Sequence, residues 1–238
     1  MIKEAIDRIL QLAGPKTVEV EGLTYSGRAD GSLSLVAPPA IGTIEATTLT
    51  AICDYFKNNI ERIKDGDVFL HVVGPAEVSV IIAADLKFRR RQQPITAKAI
   101  VNKFKYDQWL SISEFIPAVQ SMFADGGDKS EVLKYAGNIT HESSVNVADD
   151  GVTQRVQAKT GVARREDVAL PSVVTLCPYE TFTEIIQPER KFVFRVQRTD
   201  KDFSCKLIPA DGEQWKTAVK QDISAYLQAN IAGLRVIS

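Results

Sequence analysis

The sequence predicts an α+β protein, with mixed, mainly antiparallel sheet or sheets and several amphipathic helices packed on them. Three observations predict it. Apolar residues recur at helical spacing in well-separated stretches. Much of the last hundred residues switches to a period of two. The two kinds of segment follow one another without the regular strand–helix–strand alternation that a parallel sheet requires.

Residues 1–40 form a semi-independent segment, a candidate arm. A short amphipathic helix is predicted from Ile2 to Leu12, stopped by Gly14-Pro15. Its acids lie among the apolar residues and no cleavage site follows, so it does not read as a signal peptide. Short strands are expected in "TVEVEG", "LTYSG" and "SLSLVA", before Pro38-Pro39 interrupts the chain.

Residues 41–238 form the main α+β domain. In "ATTLTAICDYFKNNIERIK", Leu49, Ile52, Cys53, Phe56, Ile60 and Ile63 share one helical face, and Thr47 or Thr48 can cap its start. After the Asp65-Gly66 turn, "DVFLHVV" and "VSVIIAA" flank Gly74-Pro75 as two strands central in a sheet. A further strand is expected over "ITAKAIVNKFKY". Ser111 and Glu114 form a capping-box pattern ahead of Ile112, Phe115, Ile116, Val119 and Phe123, with Pro117 one turn in. "DKSEVLKYAG" offers another helix, with Asp128 as its cap and Gly137 as its stop.

Two hairpins are then expected. One turns at Asp149-Asp150-Gly151. The other pairs "KFVFRVQR" with "FSCKLIPA", so that Phe192, Phe194 and Val196 share an apolar face with Phe203, Cys205 and Leu207. The closing helix carries Trp215, Ala218, Val219, Ile223, Tyr226 and Leu227 as its stripe, with Asp211 as N-cap.

A chain of 238 residues, 45% hydrophobic and 25% charged, can bury a substantial core. The three cysteines are far apart and offer no C-x-x-C pair, so neither a disulfide framework nor a zinc site is expected, and the reading is cytosolic. No apolar run reaches the length of a bilayer span, so no membrane partner is expected. Nucleotide-binding glycine loops, nucleophile elbows and paired-histidine motifs are missing from the sequence, and no catalytic residue or cofactor is assigned.

The strongest local signal is electrostatic. Net charge is −1, yet the stretch from Leu86 to Trp109 carries seven cations against Asp107. That stripe is +6, which leaves −7 for the rest of the chain. Lys87, Arg89, Arg90, Arg91, Lys103 and Lys105, with Tyr106 and Trp109 as ring platforms, fit a grip on single-stranded nucleic acid. The same residues fit a contact with the acidic surface of a second copy, or a solvated strand end.

From about residue 45 to 230 the chain resembles the YfdQ-like family of uncharacterised phage and prophage proteins. The resemblance rests on "TAICDYFKNNIE", "AADLKFRRR", the W-x-S-x-x-E-F element of Trp109, Ser111, Glu114 and Phe115, "LPSVVTLCPYETFTEIIQPERKFVFRV" and "DGEQWKTAV". It implies a virus-encoded accessory protein working in the cytoplasm of a bacterial host and supplies no catalytic residue. The expectation is a non-enzymatic protein that assembles into a defined homo-oligomer. The alternative is a single-stranded nucleic-acid-binding protein of phage recombination or replication.

Overall fold

The computed structural model describes residues 2–5, 17–27, 32–37, 42–59, 61–63, 67–85, 90–101, 103–140, 145–149, 153–158, 169–198 and 203–238. The fold is α+β and its sheets are mostly antiparallel. Residues 2–5 are helical, where the N-terminal helix is expected to start; the rest of that helix lies outside the described residues.

Strands β1 (Thr17–Val20), β2 (Leu23–Gly27) and β3 (Leu33–Leu35) make a three-stranded antiparallel sheet in that order. Glu21 and Gly22 both have positive φ (52° and 71°), which the tight β1–β2 hairpin needs.

The next unit is a five-stranded mixed sheet. It contains β4 (Ile44–Ala46), β5 (Val68–Gly74), β6 (Glu77–Asp85), β7 (Arg90–Lys98) and β16 (Arg235–Ile237), ordered β16-β5-β6-β7-β4. β5, β6 and β7 are antiparallel neighbours, so the two expected central strands are central. The third strand differs from the expectation. It begins inside the basic stretch, at Arg90, and ends at Lys98, because pairing with β6 draws the arginines into the ladder.

Helices α1 (Leu49–Asn58) and α4 (Trp215–Asn230) pack on this unit. Leu49, Ile52, Val219, Ile223 and Leu227 meet Val68, Leu70, Val72, Val78, Val80, Ile95 and Ala97 in one core. Thr48 caps α1 as expected, its hydroxyl accepting from Ala51 N at 3.3 Å. The N–H just before it is taken by Glu184, 134 residues beyond Thr50, whose Oε1 accepts from Thr50 N at 2.8 Å.

The second core lies under β8 (Leu110–Ser111), β15 (Phe203–Pro209), β14 (Arg190–Arg198), β13 (Val173–Pro178) and β9 (Phe123–Ala124), adjacent in that order. The register sets Phe194 opposite Leu207 and Val196 opposite Cys205, which is the predicted apolar face. Helix α2 (Ile112–Met122) runs directly from β8 to β9, so one helix joins the two opposite edges of the sheet. It continues through Pro117, and the Glu114 carboxylate accepts from Ser111 N at 3.2 Å, as the capping box requires.

Helix α3 (Lys129–Thr140) continues past Gly137, the expected stop, because Ile139 is still a core residue. Asp128 does not spend its carboxylate on the cap; Oδ2 accepts from Thr175 N at 2.7 Å and ties the helix start to β13. A third antiparallel sheet holds β10 (Val145–Asp149), β11 (Thr153–Ala158) and β12 (Ala169–Pro171), with Asp149 opposite Gln154 at the predicted hairpin. The Asp150 and Gly151 of that turn, and the Asp65-Gly66 turn, lie outside the described residues.

Candidate functional site

The structure divides the basic stripe between the two cores. Lys87 and Arg89 lie outside the described residues. Arg90 opens β7 opposite Asp85. Arg91 sits on the side of the five-stranded sheet away from α1 and α4, its guanidinium carbon 6.0 Å from the centroid of Phe69. Lys98, at the far end of the same strand, pairs with Glu77 at 3.4 Å.

Lys103 and Lys105 are exposed on the segment that enters the second unit, where Asp107 N donates to Leu207 O at 2.9 Å. Trp109 is 41% exposed, and Lys206 Nζ lies 5.0 Å from its ring centroid while bonding Asp107 Oδ1 at 2.8 Å. Tyr106 is no free platform. Its ring stacks on Phe192 (5.3 Å between centroids, 11° between planes) and its hydroxyl donates to Glu180 Oε1 at 2.9 Å. Burial, reinforced by the Glu180 charge, pushes that phenol well above its usual pKa.

Tyr106 belongs instead to a junction that the sequence does not announce. Arg190, the first residue of β14, is buried between two carboxylates: Nη1 donates to Glu180 Oε2 at 2.7 Å and Nε to Asp211 Oδ2 at 2.6 Å. Its guanidinium also lies over Trp215 (4.7 Å), Phe192 (5.1 Å) and Tyr106 (5.7 Å). Phe192 and Tyr106 belong to the second core and Trp215 to the first, so one arginine joins the two. Asp211, expected as the α4 cap, accepts two bonds from Arg190 here while its Oδ1 also accepts from Glu213 N at 3.2 Å ahead of the helix; the bond from Arg190 holds its carboxyl below the usual range. Gln214 occupies the N-cap position of α4. The neighbouring loop adds two more ties, because Thr181 Oγ1 donates to Pro75 O at 2.6 Å and Phe182 and Ile185 enter the first core.

Among the described residues, a different apolar surface is covered by neither core. The β1–β3 register sets Val18 opposite Tyr25, Val20 opposite Leu23, and Tyr25 opposite Leu35. Val18, Val20, Leu23, Tyr25, Leu33 and Leu35 therefore share one face, while Thr17, Glu19, Thr24, Ser26 and Ser34 share the other. None of the six belongs to either core. Val18, Val20 and Leu33 remain 44%, 47% and 55% exposed.

Among the described residues no group of three or more His, Cys, Asp or Glu side chains is placed to hold a metal ion. The groove of about 520 Å³ between α1 and α4 is lined by Cys53, Asp54, Tyr226 and Asn230 among others, and burial raises the Cys53 thiol pKa, the reverse of nucleophile activation. No described helix is long and apolar enough to cross a membrane. No family model, no curated protein and no solved structure matches the chain.

Proposed function

We propose that this is a non-enzymatic phage- or prophage-encoded protein that assembles into a defined homo-oligomer in the cytoplasm of a bacterial host. The observation that carries the reading is the apolar face of the β1–β3 sheet, which neither core covers and whose Val18, Val20 and Leu33 stay exposed. A sheet with one apolar face is expected to bury that face against another layer, and neither core of this chain supplies one. Contiguous apolar surface of this kind marks an interaction site.

A second copy suits the face chemically. No charged residue lies on it, so bringing two such faces together about a twofold axis opposes no like charges. The strands would stack as an aligned sandwich. The resemblance to phage and prophage accessory proteins supports the cellular setting.

Val18→Glu combined with Leu33→Glu tests this reading. Each places a carboxylate in the buried layer, and the two together are expected to convert the oligomer to the 26.2 kDa chain by light scattering, with the far-ultraviolet circular dichroism of both cores retained. An oligomer of unchanged mass in the double variant would remove the β1–β3 face from the account.

A further inference from the structure

The five-stranded sheet has a second face, which no described helix covers. Leu70, Val72, Val78, Val80, Ile95 and Ala97 point to the core beneath α1 and α4. Residues one position along each strand point the other way. On β5 these are Phe69, His71 and Val73. On β6, Ile81 lies opposite Phe69 and Ser79 opposite His71. On β16, Arg235 lies opposite Phe69 and Ile237 opposite His71.

This face is chemically graded. At one end Glu77 and Lys98 neutralise each other, and Gln93 Nε2 bonds the buried hydroxyls of Ser79 (2.5 Å) and Thr96 (3.0 Å). At the other end a half-exposed aromatic ring sits between two arginines, Arg91 from β7 and Arg235 from β16. Among the described residues neither arginine has a carboxylate partner.

We propose that this open face binds single-stranded nucleic acid, with Phe69 as the ring on which a base stacks and Arg91 and Arg235 as the phosphate contacts. A ring on an inner strand, with one cation beside it on the adjacent β16 and another reaching over it from β7, two strands away, presents a rigid stacking platform whose charge complements a phosphate backbone. Arginine forks match phosphate oxygens two at a time, and a base can take the place over Phe69 that Arg91 now holds. The site keeps one residue of the basic stripe, Arg91, and adds Phe69 and Arg235, which lie outside it. It is separate from the β1–β3 face, so it stands or falls independently of assembly.

The test is fluorescence anisotropy of a labelled oligothymidylate, about 25 nucleotides long to exceed one site, with the full chain at low salt. Binding is expected, weakening as salt rises. Arg91→Ala and Arg235→Ala are each expected to lower affinity and to reduce the salt slope by about 1. Phe69→Leu keeps an apolar side chain on the strand and is expected to weaken binding roughly 5- to 150-fold with the salt slope unchanged. Lys103→Ala with Lys105→Ala is expected to change nothing. No binding by the wild type at low salt would overturn the proposal. So would loss of binding in the lysine variant with Phe69→Leu unaffected, or equal competition by a duplex of the same length.

Discussion

At the scale of single residues, Arg190 carries the sharpest consequence. It is a desolvated cation whose charge is answered by Glu180 and Asp211 and whose plane is covered by three rings. Removing it strands two partly buried carboxylates, so Arg190→Ala is expected to cost about 3–5 kcal/mol in urea unfolding. Asp211 sets a pH dependence. Its folded pKa lies below the unfolded value near 3.9, so its contribution is complete above the ordinary carboxylate range and is lost as pH falls through the depressed value. Asp211→Asn is therefore expected to be less stable than the wild type at about pH 7, with the gap narrowing at about pH 2–3. A gap that stayed constant across that range would show that the carboxylate's charge contributes nothing.

At the scale of elements, the junction of α2, β9 and α3 depends on one backbone conformation. Gly127 has φ +51°, and a Cβ there would come within 2.3 Å of the Thr175 carbonyl oxygen. Gly127→Ala is thus expected to destabilise by more than about 2 kcal/mol, combining left-handed strain with a clash against β13. That carbonyl also accepts from Asp128 N, so the clash falls on a bond that positions α3. Thermal melting of the variant checks this; an unchanged midpoint would mean that β13 can shift without loss.

For the molecule as a whole, what could be read from sequence follows from periodicity. The facing of Phe194 with Leu207 and of Val196 with Cys205 was legible, because period-two runs of apolar residues define a face before any partner is known. The α1 cap at Thr48 and the Ser111–Glu114 box were legible because both are local. Arg190 was not. Glu180, Asp211, Trp215 and Tyr106 lie 10, 21, 25 and 84 positions from it, and an arginine opening a strand looks the same whether it is solvated or buried. Asp128 fits a local capping pattern, yet Thr175 took its carboxylate, and Asp211 keeps a local bond from Glu213 N while also holding Arg190. The two-residue strands β8 and β9 are too short to show any period, so the bridging of two sheet edges by α2 had no sequence signal.

The candidate sites divide in the same way. The basic stripe was visible as composition, but strand pairing decides which of its members share a surface, and it sets Arg91 beside Phe69 while Lys103 and Lys105 lie elsewhere. The apolar face of β1–β3 follows from register, which three short runs leave open.

Absolute mass of the wild-type chain, by light scattering behind a sizing column at moderate salt with absorbance followed at 260 and 280 nm, tests self-assembly most directly. The account predicts a single discrete species at a multiple of 26.2 kDa with a protein-like absorbance ratio. A peak at 26.2 kDa would contradict it, because the face formed by Val18, Val20 and Leu33 would then need no second copy.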